Sequence, residues 1–538
     1  MANAPGRDGD QPADPAEQAR VEVLCMQWLE AILAAPEDPE PLCGLAMALQ
    51  NLGEYEQALS LWQQAEGLGL ASIEILMAQG RCLEQLGRDQ EGIALAERAC
   101  AAHPARAEAF RLLGFLHWRG GRYGQAEGPW RQALALEPDN PLNLINVGGV
   151  LNGLNRLDEA IELHRQVVQL APEQMLSRIN LAISLRRLGD FTGAVATLNE
   201  ALALQPDHPE LRWCLALTRL LQGDYVAAWA DFEQRFSIQN PTQLVANPGG
   251  RRWSGPSAPR PPSLLLMGEQ GLGDIIQFCR YAPLMRRFTQ RVELCVPRPL
   301  LTLLAGANLA DALITPAELR ERPSQDWIPL LSTPGLLGVS VADPLVSAPH
   351  LRVDPERQDG WRQRLPVGPD RLIAINWQGN PTTEQLEGFR GRSMPLEALA
   401  PLAALPGIQL VSLQKGAGLE QLETCSFRDR FVPAQAEIDS QLDFADMAAV
   451  MACCDLVIST DTVIPHLAGS LGLPVWLLLK WAPDWRWGFA GEASHWYPSM
   501  RLIRQCSAGC WQEPVARLVA ELPAWLQAHG KSRHSAPP

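Results

Sequence analysis

A 34-residue period runs through the first half of the chain and limits what it can fold into more than any other feature. Gly53, Gly87, Gly121, Asn155, Gly189 and Gly223 fall 34 residues apart, as do Ala58, Gly92, Ala126, Ala160, Ala194 and Ala228. Pro104, Pro138, Pro172 and Pro206 share the spacing, with Pro36 in the same phase. Small residues recur at Ala46, Gly80, Gly114, Gly148, Ala182 and Ala216. A repeat of this length marks stacked helix pairs, because one pair cannot bury its apolar face alone. Gly or Asn ends the first helix of each pair in the left-handed conformation. The small residues let the two helices approach closely, and Pro ends the second helix.

This order of small, Gly, aromatic, Ala and Pro positions resembles the tetratricopeptide repeat, with Tyr55, Tyr123, Phe191 and Tyr225 following the turn residues. Six repeats are expected from about Pro39 to Phe236, after a partial leading helix at about Ala16–Ala35. The α-solenoid then covers 16–236. Such arrays stack into a superhelix with a concave groove, expected here to bind a protein or peptide. A rigid spacer or oligomerisation arm is the competing reading, and no groove residue identifies the ligand.

At 538 residues the chain exceeds the roughly 250–300 at which single cores stop growing, so further domains are expected. Residues 237–262, rich in Pro, Gly, Asn and Arg, read as a linker. Ser263–Met267 is then a buried strand running into Gly268-Glu269-Gln270-Gly271-Leu272-Gly273-Asp274 and a helix from Ile275 to about Arg287. Val292–Val296, Leu300–Leu304 and Ala312–Ile314 continue the alternation, giving a first α/β lobe at 263–360. A second lobe at 361–530 has strands at Leu372–Trp377, Gln409–Leu413, Leu456–Ile458 and Val475–Leu479, and a last helix from about Glu513 to Ala528. Composition predicts disordered ends at 1–15 and 531–538.

The sharpest stretch is Cys454–Leu479. An apolar strand, a polar turn, a helix from about Thr462 to Leu471 and a second apolar strand make a βαβ unit, hence a parallel sheet. Ligands of such sheets collect at the carboxyl ends of strands, facing the positive ends of helices. Ser459, Thr460, Asp461, Thr462 and His466 therefore stand where a phosphorylated ligand would sit. A net charge of −15 argues against nucleic acid as partner, so an anionic ligand needs local cations. Only three lysines accompany 42 arginines among the 45 basic residues, which makes Lys415, directly after a strand, conspicuous. Met1 to Gln18 has no signal-peptide or anchor pattern, and no apolar run reaches the roughly 18–20 residues of a transmembrane segment. Twelve scattered cysteines suit a reduced, cytoplasmic protein. Cys506 and Cys510 lack a matching second pair, so no metal site is expected.

Gly271-x-Gly273-Asp274 and Asp461-Thr462-x-x-x-His466-Leu467-Ala468 together resemble the paired signatures of the heptosyltransferase-like glycosyltransferases of family nine, which have the GT-B fold of two Rossmann-like lobes. The strings Glu269–Tyr281, Trp377-Gln378-Gly379-Asn380-Pro381, Ser412-Leu413-Gln414-Lys415-Gly416 and Trp485-Arg486-Trp487 are similar to a bacterial branch that joins tetratricopeptide repeats to such a domain. The resemblance covers about residues 39–528. It implies an inverting transferase that works without a metal, takes a nucleotide-diphosphate sugar as co-substrate and needs no other cofactor. Asp274 is then the catalytic base, with helix N-cap as the competing reading. Gly271, Gly273, Gln378, Arg392, Lys415, Thr460, Asp461, Thr462 and His466 would bind the donor, and Trp377 would offer a stacking face. Where the family carries an Asp/Arg-rich run, this chain has Thr382–Gly388 with Glu384 and Glu387, which leaves the donor sugar open. The acceptor would be a protein recruited by the repeats. A repeat scaffold with a silent transferase half, or a glycolipid-directed enzyme, are the alternatives.

Overall fold

The computed structural model describes residues 15–70, 72–384, 390–440 and 443–529. The expected disordered ends lie outside these residues, Pro15 excepted, as do 385–389 of the Thr382–Gly388 run. The chain divides into two compact units, Met1–Pro206 and Asp207–Pro538.

The first unit is an α-helical solenoid. A leading helix, Pro15–Ala34, precedes five antiparallel pairs, from Pro39–Asn51 with Tyr55–Gly67 to Met175–Leu188 with Phe191–Leu204. Gly53, Gly87, Gly121, Asn155 and Gly189 all turn the chain with positive φ, from 59° to 93°. The periodic small residues make room for larger ones. A Cβ on Gly80 would come within 2.4 Å of Leu112, on Gly114 within 2.4 Å of Trp130, and on Gly148 within 2.4 Å of His164. Ion pairs such as Arg88–Glu56 (3.2 Å) and Arg106–Glu74 (3.6 Å) link successive pairs. Exposed pairs of this kind contribute about 0–1 kcal/mol each, so apolar packing holds the solenoid together.

His164 is an exception within that packing. It is fully buried and neither ring nitrogen has a hydrogen-bond partner. Burial pushes its pKa from 6.5 down to about 3. The unfolded chain therefore takes up a proton that the folded solenoid refuses, and stability falls as pH drops from about 6.5 towards 3. The slope for this one group is about 1.4 kcal/mol per pH unit. His164→Leu is expected to flatten the acid side of the solenoid's stability curve by that amount, measured as urea midpoints at pH 4, 5, 6 and 7. An unchanged curve would remove His164 as the cause.

The second unit begins with the sixth helical pair, Pro209–Gln222 and Tyr225–Phe232, followed by a 3-10 turn, Glu233–Phe236. The period assigns this pair to the repeats, but its packing is with the α/β region. Nine strands follow among the described residues: β1 Ser263–Met267, β2 Arg291–Cys295, β3 Ala312–Ile314, β4 Trp327–Pro329, β5 Arg371–Asn376, β6 Ile408–Ser412, β7 Leu456–Thr460, β8 Val475–Leu479 and β9 Met500–Arg504. They form two parallel sheets, ordered β3-β2-β1-β4 and β6-β5-β7-β8-β9. Apolar runs such as Leu264–Met267 and Leu456–Ile458 suit strands covered on both faces. Strand order reverses between β1 and β4 in the first lobe and between β5 and β7 in the second. In open parallel sheets those two points are where crevices form.

Residues 237–262 are not a free tether, because Val245 donates to Gly268 O (2.9 Å) and Trp253 to Trp327 O (2.8 Å). The sixth pair is fixed more firmly still. Arg235 and Glu269, both fully buried, form a two-pronged ion pair at 2.8 and 2.9 Å. Arg235 also donates to Ser332 Oγ (2.8 Å), and Glu269 accepts from Leu331 N–H (2.9 Å). Beside them Tyr225, Trp229 and Phe232 pack edge-on around Trp485, ring centres 5.7 to 6.0 Å apart. Large aromatic rings at these spacings carry much of the burial energy of an interface.

Candidate functional site

One wall of the site is the turn after β1. Gln270 takes a positive φ of 57° and Gly271 caps the seven-residue helix Leu272–Phe278. That helix starts earlier than Ile275, so Gly273 and Asp274 sit in its first turn. Asp274 accepts from Gly271 N–H at 2.8 Å and closes the helix end itself. Pro283 explains why the segment continues as a 3-10 helix, Cys279–Arg287.

The opposite wall is the turn after β7. Thr462 caps the helix Val463–Ser470, accepting from Ile464 N–H at 3.3 Å. The two walls touch. A Cβ on Gly273 would lie 2.9 Å from His466 Cδ2 and 3.4 Å from Val463 Cα, so only glycine allows the helices this close. Gly273 and His466 thus meet across the interface between the lobes, with Asp274 next to the contact in sequence. His466 is buried, stacks on Trp487 at 5.1 Å and bonds Tyr497 Oη through Nδ1 at 3.1 Å. Burial, then Arg486 and Arg280, hold its pKa well below 6.5, so it is neutral.

Arg486 bridges the walls. Its guanidinium donates to Asp274 Oδ1, to Asp484 Oδ1 (2.8 Å) and to Gln277 Oε1 (3.1 Å). The side chain is 6% exposed against 19% for Asp274, and it lies over the Trp485 ring at 4.5 Å. Burial opposes the Arg486 charge, but Asp274 and Asp484 outweigh it and raise its pKa. The Asp274 pKa is raised by burial, against the pull of Arg486 and the Gly271 N–H. Asp461 is pushed up to about 6 by burial and Asp484, with Arg392, Trp487 and Arg486 opposing. Two carboxylates thus bond one buried guanidinium, with Asp461 in its electrostatic reach.

Behind the second wall, at the β5–β7 reversal, lies a hydrogen-bonded chain. Asn376 Oδ1 accepts from Thr462 Oγ1 (2.9 Å) and Ser459 Oγ (3.3 Å), and Asn376 Nδ2 donates to Gln414 Oε1 (2.8 Å). Gln414 Oε1 also accepts from Gln378 N–H (3.1 Å), and Gln378 Oε1 accepts from Gln421 (2.9 Å). This holds Gln378 and Thr462 in one network. Thr460 ends β7 fully buried, with its hydroxyl unbonded. Arg392 packs against Gly379 and pairs with Glu384 at 3.7 Å, so the glutamate of the divergent run meets the cation.

Two expected residues are elsewhere. Lys415 donates to Ile438 O and lines a separate depression with Trp361, Asp443, Asp446 and Met447. Burial lowers its pKa against Asp439. Trp377 is wholly buried in the second-lobe core, so it offers no stacking face. The sequence reading gave no role to Asn376, Gln414, Asp484 or Arg486. The available signal was a polar residue at the end of an apolar strand for Asn376, and an arginine between two tryptophans for Arg486.

The tetratricopeptide-repeat sequence profile matches residues 43–107, 111–174 and 179–241, so the helical half is a repeat array of that kind. Protein FlbA of Caulobacter vibrioides is 27% identical over 312 residues, covering 54% of this chain and 51% of FlbA. Human protein O-mannosyl-transferase TMTC1 is 28% identical over 146 residues, 26% of this chain and 17% of that protein. The chain thus spans about half the length of FlbA and less than a fifth of TMTC1. Among solved structures, YrrB, a tetratricopeptide-repeat protein with an unusual peptide-binding site, is 22% identical with a TM-score of 0.30, covering 34% of this chain and 95% of that one. Among the described residues no helix is long and apolar enough to cross a membrane.

Proposed function

We propose that the second unit is a GT-B glycosyltransferase that moves a sugar from a nucleotide diphosphate to a protein acceptor recruited by the repeats. The supporting observation is Gly273 seated against the first turn of Val463–Ser470. That contact brings the helix turn that carries Asp274 against the helix that follows the polar turn of β7. The acceptor hydroxyl gives its proton to Asp274 while its oxygen attacks the anomeric carbon. The sugar–diphosphate bond breaks with its electron pair passing to the phosphate oxygen, and a single displacement of this kind inverts the centre. Thr462 and Asp461 would meet the donor, with Asp461 accepting from sugar hydroxyls. TMTC1 bears the name of a protein O-mannosyl-transferase, which agrees with a protein acceptor, but the reading rests on the cleft.

A scaffold with a silent transferase half is the second reading, favoured by one observation. Asp274 is already committed to Arg486 and to the Gly271 N–H. A panel of ADP, GDP, UDP, CDP and dTDP in thermal-shift measurements separates the two. One nucleotide at a hundred times its Kd is expected to stabilise the second unit by about 2.7 kcal/mol, and Asp461→Ala to abolish this. A melting profile indifferent to all five leaves the scaffold.

A further inference from the structure

Resting on that transferase reading, we infer that Arg486 is a positioning residue that holds Asp274 and exchanges it for the diphosphate of the donor. The guanidinium is nearly buried and donates to carboxylates from both sides of the cleft, Asp274 and Asp484, with Asp461 in electrostatic reach. Buried Arg–carboxylate bonds are strong and directional, so the pair fixes the Asp274 carboxylate and makes it a weaker proton acceptor than it would be without its cation. A second anion is the natural competitor for the same donors. As the diphosphate takes the guanidinium, Asp274 loses its cation and keeps the Gly271 N–H, which fixes its direction. Base strength is then greatest when donor is bound, and a stray water finds a carboxylate still tied to its cation.

Trp485 and Trp496 hold Arg486 in place for this exchange. Its side chain lies over the Trp485 ring, and its carbonyl accepts from Trp496 Nε1 at 2.9 Å. Gln277 keeps the Nε–H occupied at 3.1 Å, so the two terminal nitrogens are the ones that change partner.

The test is calorimetric titration of the full chain with the same five nucleoside diphosphates, using wild type, Arg486→Gln, Arg486→Lys, Asp274→Asn and the double variant Arg486→Gln/Asp274→Asn. Arg486→Gln is expected to weaken binding at least about tenfold, the worth of one charge-assisted hydrogen bond, with Arg486→Lys in between. Asp274→Asn removes the competitor and is expected to tighten binding about fivefold or more, within ordinary coupling between sites. The double variant should show no such tightening. A purely structural Arg486 would give the opposite sign for Asp274→Asn, because its buried charge would lose a partner. Weaker or unchanged binding by Asp274→Asn overturns the exchange while leaving the transferase reading intact. Wild-type binding retained in Arg486→Gln does the same. Failure of every nucleotide to bind wild type overturns the transferase reading, and the exchange with it.

Discussion

Asp274→Asn is expected to lower glycosyl transfer by about 10²- to 10⁴-fold, the usual worth of a positioned general base. It should do so while the variant still binds nucleoside diphosphate at least as tightly as wild type. The amide keeps the shape of the carboxylate but accepts no proton. The pH profile should carry the same signature. A base acts only when ionised, so the rate falls on the acid side as Asp274 takes up its proton. Burial raises its pKa, which places that limb above the ordinary carboxylate range. Single-turnover transfer to a repeat-bound peptide, followed from pH 5 to 8, is the measurement. If Asp274→Asn turned over within threefold of wild type, another group would have to be the base.

The second large effect concerns stability. Arg235→Ala is expected to cost the second unit about 3–5 kcal/mol, because it leaves a buried carboxylate without its cation. Glu269 is fully buried, and its other described partner is the Leu331 amide. Hydrogen exchange of the full chain should show the loss at β1 and at 328–333 as a hundredfold or greater acceleration. Exchange in the solenoid should keep its wild-type rate. Unaltered protection at β1 would mean that the pair is not what fixes this turn.

Much of this was legible in sequence, for identifiable reasons. The turn residues and small residues of the repeat act through backbone conformation and steric room, which depend on residue type alone. Gly189 and Gly148 were therefore readable without coordinates. The interior strands β1, β5, β7 and β8 announced themselves as continuous apolar runs. β4 and β9 did not, being a three-residue edge that ends in Pro329 and an edge strand carrying Arg501 and Arg504. Lys415 follows a strand, and its amine donates to Ile438 O, a contact no local pattern announces. Trp377 looked exposed because it precedes a polar loop, yet the strand continues to dictate its direction and buries it. Arg486 was visible as a letter between two tryptophans. Its meaning depended on Asp274, 212 positions away, and no local pattern carries that distance.

The anchoring of the sixth helical pair fixes where this chain can be cut. Sequence alone invites a truncation after Phe236, where the period stops. Such a cut would strip Glu269 of its guanidinium and bare Trp485 beside the Asp274 turn. A fragment carrying the second unit must instead start at the Pro206–Asp207 seam and take one repeat with it. Arms can be exchanged between such proteins only upstream of that repeat, which belongs by its period to the solenoid and by its packing to the α/β unit.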